Sequence, residues 1–154
     1  GDRTLFFDFL PMGLGEIKGF DVTVQVYTVP GQVQYRSTRK LVLKGVDGVI
    51  FVADSLAVRR EKNMLSLKDL QHNLKEYGIN IFKIPLVMQH NKRDLAGEGL
   101  PIMAVEQMEK DLNRQLKVPS FPASAISGQG VGATLKECLK LTLISLKKDM
   151  KLGQ

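Results

Sequence analysis

The sequence predicts a three-layer α/β fold built on a mostly parallel sheet with an antiparallel edge hairpin. Two short, nearly continuous apolar runs, residues 46–54 and 85–90, read as strands covered on both faces. Helical patterns with apolar residues at three- and four-residue spacing follow them. Between residues 20 and 26 apolar and polar side chains alternate, the period of a half-buried strand lying outside that repeat. Strand–helix units plus one hairpin give helices on both faces of a single sheet.

Taken in order, residues 5–10 form a strand-like run, and the glycines and proline of 11–19 predict a turn. Phe20, Val22, Val24 and Val26 alternate with Asp21, Thr23 and Gln25, so the hairpin closes there. Thr28-Val29-Pro30-Gly31-Gln32 ends the second strand. A loop or short irregular helix then carries Tyr35, Arg36, Arg39 and Lys40 towards Gly45, its basic residues facing either solvent or a partner. After the strand at 46–54 comes a helix over 57–77, with Met64, Leu67, Leu70, Leu74 and Tyr77 on one face and Gly78 as its stop. Beyond the strand at 85–90, a helix over 103–117 turns Val105, Met108, Leu112 and Leu116 inward. A short strand at 121–124 precedes a closing helix, on whose inner face Cys138 lies with Leu135, Leu139 and Leu143.

A length of 154 residues, 44% hydrophobic and 25% charged, fits one domain, 1–154, with an adequate core. No apolar run is long enough to span a bilayer. The single cysteine cannot form an internal disulfide, which fits a cytoplasmic protein. A formal charge of +6 favours anionic partners without choosing among them. Lys147, Lys148 and Lys151 read as a solvated helix end, and no aromatic residues interleave with them, so a nucleic-acid partner is not expected. His72 and His90 have no second ligand at metal-like spacing and are assigned surface or structural roles.

The chemistry concentrates after the strand at 85–90, in Asn91-Lys92-Arg93-Asp94. An open parallel sheet places its ligands beyond the carboxyl ends of its strands. A fixed carboxylate accepts two N–H bonds side by side, which suits the ring N–H and exocyclic amino group of guanine; adenine presents an acceptor at the equivalent ring position. Asp94 is therefore the candidate guanine reader. Asn91 can brace neighbouring loops or meet the purine's other edge, and the Lys92 stem can lie against a base with its ammonium in water.

One strand later, Ala123-Ser124-Ala125-Ile126-Ser127-Gly128 resembles the Ser-Ala loop by which Ras-like GTPases present a backbone N–H to the guanine oxygen. With Asn91-Lys92-x-Asp94 upstream, two guanine-site motifs stand in the expected order. The chain is more closely similar to the bacterial MglA group of small GTPases, which control cell polarity and gliding motility. That resemblance rests on the run from Arg3 to Pro11, Tyr27-Thr28-Val29-Pro30-Gly31-Gln32, the run from Arg39 to Gly48, and Phe51-Val52-Ala53-Asp54-Ser55. It implies GTP and GDP as ligands with Mg2+, Gln32 orienting the attacking water, Arg3 as an arginine finger from the same chain, and Thr4 on the magnesium and γ-phosphate. It also implies an MglB-like roadblock dimer as activating partner, downstream polarity or motility effectors, and recruitment to the cell pole or inner membrane surface. Most small GTPases carry aspartate where Thr28 stands, so the magnesium surroundings are expected to be organised differently here.

The family's Gly-x-x-x-x-Gly-Lys-Ser/Thr phosphate loop does not occur in the 154 residues. The expectation is a sequence incomplete at its N-terminus, lacking the first strand and helix, with that strand belonging between the hairpin and the strand at 46–54. As the chain stands it is expected to bind GTP weakly and to fold poorly. An alternative to the enzyme is a non-catalytic interaction module that presents the switch surface at residues 33–44.

Overall fold

The computed structural model describes residues 8–17 and 19–152, which divide into two compact units, 1–44 and 45–154. In the first, β1 (Asp8–Ile17) pairs antiparallel with β2 (Phe20–Thr28), from Asp8 opposite Thr28 to Ile17 opposite Phe20. The turn expected over 11–19 is thus mostly strand; of the strand expected at 5–10, residues 8–10 are strand and residues 5–7 lie outside the described residues. The reason is pairing: the regular β2 pattern offers a complete ladder, and the one irregularity is absorbed as a register shift between Gly13 and Gly15. Gly15 has φ 76°, a torsion a side chain would resist. Along β2, Val22, Val24 and Val26 are half-buried and their neighbours exposed, as the alternation predicts, but Phe20, at the hairpin turn, is 59% exposed. A 3-10 turn (Val33–Tyr35) and α1 (Arg36–Val42) follow.

The second unit carries the parallel sheet, ordered β3 (Val49–Asp54), β4 (Leu86–Asn91), β5 (Ser120–Pro122). Strand β4 is central and its first five residues are buried, which explains a run without polar alternation. Among the described residues β3 is paired along one edge only.

Three helices cover this sheet: α2 (Arg60–Glu76), α3 (Val105–Leu112) and α4 (Val131–Leu152). Neighbouring side chains on a strand point to opposite faces. On β4, Gln89 Nε2 donates to Thr134 Oγ1 of α4 at 2.9 Å, while His90 Nε2 meets Glu109 Oε1 of α3 at 2.9 Å. Hence α4 and α3 lie on opposite faces, and the three-layer expectation holds. Helix α2 shares the α3 face, tied by Arg60 Nε and Nη2 to the two oxygens of Asp111 at 2.8 and 3.0 Å. Phe51, Ala53, Leu74, Val87, Met88 and Met108 are core residues of this unit. Cys138 is buried against the sheet as expected, its Sγ 3.8 Å from the Val49 carbonyl oxygen. Burial raises its thiol pKa.

Helix α3 is shorter than its sequence period. It stops at Leu112 because Asn113 turns the chain, accepting the Val118 N–H at 2.9 Å and donating to the Val118 carbonyl at 2.8 Å. Helix α2 is preceded by a 3-10 turn (Ala57–Arg59) and ends before Gly78, whose φ is 74°. His72 is a surface residue paired with Glu76 at 3.0 Å. No helix among the described residues is long and apolar enough to cross a membrane.

Candidate functional site

The carboxyl ends of β3 and β4 coincide, with Asp54 opposite Asn91, and His90 pairs with Pro122 at the end of β5. Three loops therefore leave the sheet side by side. The middle one begins with Asn91, whose Oδ1 accepts two backbone N–H bonds, from Lys92 at 2.8 Å and from Ala125 at 2.9 Å. Asn91 thus staples the β4 loop to the β5 loop. A second staple is Ser124 Oγ donating to Asp94 Oδ1 at 3.0 Å. Below them Arg93 N–H donates to the Ala123 carbonyl at 3.1 Å, so the two loops are held at backbone level as well.

Lys92 lies in the left-handed region, φ 70° and ψ 29°, at the head of the 3-10 helix Arg93–Glu98 that carries Asp94. For a residue with a Cβ this costs roughly 1–2 kcal/mol, offset by the hydrogen bonds on either side of it. Strain of this kind collects where a chain must aim side chains. The sequence predicts the Lys92 ammonium in water; the structure places Nζ 2.8 Å from Asp54 Oδ2, with Arg59 Nε at 4.0 Å from the same oxygen. The cause is the strand register, which puts Asp54 directly beside the Lys92 loop. Asp54 is itself fixed: its Oδ1 accepts the Leu56 N–H at 3.0 Å, and Asn63 on α2 bonds its backbone N–H and carbonyl at 3.0 and 2.8 Å. The Asn63 amide continues β3 with the donor and acceptor a neighbouring strand would supply.

The Ser124–Ala125 loop is closed on itself by Ser124 N–H to the Gln129 carbonyl at 2.9 Å and Gly128 N–H to the Ser124 carbonyl at 2.8 Å. Gly130, at φ 77°, passes so close beneath it that an added Cβ would strike the Pro122 carbonyl oxygen and crowd Ala123. Gly128, at φ 83°, has open space around it. Gly130→Ala is therefore expected to lower stability by about 2 kcal/mol or more, from torsion and overlap together. Gly128→Ala carries the torsional part alone, about 1 kcal/mol. Urea unfolding of the pair measures the difference.

Beneath the site His90 is fully buried and pairs with Glu109. Burial raises the Glu109 pKa, but hydrogen bonds with Ser120, His90 and Asn113 outweigh it and hold the carboxyl below its ordinary range. The other ring nitrogen of His90, Nδ1, is buried without a partner among the described residues. His90 is structural, as the sequence predicts, but at the base of the guanine motif and not at its surface.

The structure thus brings Asn91, Asp94, Ser124 and Ala125 together and turns Lys92 to Asp54. Gln32 belongs to the other unit. Its carbonyl accepts Arg39 Nη1 at 2.6 Å and Tyr35 N–H at 3.0 Å, and its side chain is exposed. Arg3 and Thr4 lie outside the described residues. Among the described residues no group of three His, Cys, Asp or Glu side chains is placed to hold a metal ion. The Ala125 N–H that the resemblance assigns to the guanine oxygen donates to Asn91 Oδ1 in the structure. Sequence reading missed Asn63, the bond from Arg39 to the Gln32 carbonyl, and the Asp54–Lys92 pair; the last was signalled only by two apolar runs each ending in a polar residue.

A parallel sheet whose carboxyl edge carries a joined Asn-Lys-x-Asp turn and Ser-Ala loop is the arrangement expected of the small GTPase class. Residues 12–142 match the family described as Arf, the ADP-ribosylation factor family, and the chain belongs to it. It is 55% identical over 147 residues to the mutual gliding-motility protein MglA of Myxococcus xanthus (strain DK1622), covering 96% of this chain and 73% of that protein. The family consists of small GTPases, which bind guanine nucleotides and hydrolyse GTP.

Proposed function

We propose that this chain belongs to a GTP-binding switch that hydrolyses GTP to GDP and governs cell polarity or gliding motility. The observation that carries the reading is the double staple, Asn91 to Ala125 and Ser124 to Asp94. It holds a carboxylate and a backbone loop side by side, as recognition of a planar donor edge requires. Asp94 reads the guanine N–H groups, Asn91 and Ala125 serve its oxygen side, and the Lys92 stem flanks the ring.

Gln32 orients the water that attacks the γ-phosphorus, and Arg3 offsets the charge that gathers on the transferring group. Magnesium would supply further positive charge at the phosphates, with the Thr4 hydroxyl, a hard oxygen donor of the kind it prefers, as its protein ligand. The switch segment ends in exposed apolar residues, Val33 at 77% and Leu41 at 55% exposure, which suit a partner surface. An MglB-like roadblock dimer acting as activator, and polarity or motility effectors, are the partners proposed for it.

Phosphate release from GTP and from ATP by the chain joined to a strand, phosphate loop and helix of the family's kind, with and without the roadblock protein, tests this. Turnover confined to GTP and raised by the partner is expected. Equal turnover of ATP, or none of GTP with the partner present, refutes it.

A further inference from the structure

We propose that the groove between α2 and α3 docks an acidic amphipathic helix of a partner protein. Its floor is apolar, formed by Met64 and Leu67 of α2, Ile81 after it, and Leu112 and Leu116 at the α3 end, around a cavity of about 600 Å³. That is room for several side chains. Two lining residues stand largely in water: Leu65 is 64% exposed and Phe82 57%. Leu65 lies off the stripe by which α2 meets the core, where Asn63, Asn73 and Leu74 are buried. Phe82 is presented by an ordered turn, its N–H donating to Asn80 Oδ1 at 2.9 Å. A large aromatic held in place beside an apolar floor is an anchor of the kind interfaces use.

The walls decide the shape of the occupant. Both are helices, whose backbone groups bond internally, so an extended strand would find no ladder to join. Side-chain packing must supply the affinity, which favours a helix laying apolar residues at i, i+3, i+4 and i+7 into the groove.

Charge decides its chemistry. Lys68, Lys110 and Arg114 line the groove against Glu61 and Asp111. Asp111 is already committed, taking both bonds from Arg60 and a third from Gln107 Nε2 at 2.9 Å. Three cations therefore face one other carboxylate, and an acidic partner is favoured in approach and in register. None of these residues belongs to the guanine loops, so the site stands apart from nucleotide recognition.

The test uses the protein and a fluorescein-labelled peptide with leucine at i, i+3, i+4 and i+7 and glutamate on its other face, beside a twin with lysine for glutamate. Saturable anisotropy with the acidic peptide is expected. Phe82→Ser should weaken it tenfold or more, and Lys110→Glu with Arg114→Glu should reverse the preference to the lysine twin, with thermal unfolding by circular dichroism unchanged. Four results overturn the proposal: no saturable binding of the acidic peptide, equal binding of the twins, self-association of the chain that Phe82→Ser abolishes, or preferential binding to phosphatidylserine vesicles.

Discussion

Asp94→Asn is expected to move the protein from guanine to xanthine nucleotides. The carboxylate offers acceptors to both the ring N–H and the amino group of guanine, and its Oδ1 is held in place by Ser124 Oγ at 3.0 Å. Asparagine keeps one acceptor oxygen and replaces the other with an amide donor. A donor then faces a donor in a half-buried position, which costs about 1–3 kcal/mol. Affinity for GTP should fall by roughly ten- to a hundredfold, since each 1.4 kcal/mol is a factor of ten. Xanthine carries an oxygen where guanine carries the amino group and accepts from the new amide, so XTP should gain. Competition of the two nucleotides for wild type and variant measures both changes. An unaltered preference for GTP removes Asp94 from the base site.

Gln32→Leu should lower single-turnover hydrolysis on the order of a hundredfold, the usual consequence of misplacing a reacting group, and leave nucleotide affinity nearly unchanged. An interaction made only as water attacks lowers the rate without weakening ground-state binding. Its backbone is already ordered: Arg39 Nη1 bonds the carbonyl oxygens of Pro30 at 3.2 Å and Gln32 at 2.6 Å. Arg39→Ala should therefore depress hydrolysis in the same direction and by less. Stopped-flow phosphate release with partner-activated protein separates rate from affinity, and a loss confined to affinity would assign Gln32 another role.

Element type was readable where period and burial agree. Strand β4 reads as covered on both faces because its residues are buried, and α4 places Cys138 inward by period alone. Residues 11–17 were misread as a turn because glycine and proline report local freedom, whereas the ladder to β2 is a non-local gain. The end of α3 was overrun because Asn113 acts through Val118, a contact outside helical periodicity. At the site, Asn91, Asp94, Ser124 and Ala125 were legible as two motifs, each following a strand. Their mutual bonds were not, since nothing in either motif states that Asn91 Oδ1 takes the Ala125 N–H. Asn63 and Arg39 serve backbone groups, and a side chain that bonds the main chain leaves no partner residue to recognise in sequence.

Displacement of a fluorescent guanine nucleotide by GDP, IDP and ADP, from the chain joined to a phosphate loop of the family's kind, tests the central claim, that these loops read guanine by its donor edge. IDP lacks the exocyclic amino group and gives up one bond to Asp94; ADP presents a lone pair in place of the ring N–H. The account predicts GDP tightest, IDP weaker by about 1–3 kcal/mol for one charge-assisted hydrogen bond, and ADP weakest. IDP equal to GDP, or ADP equal to either, would contradict it.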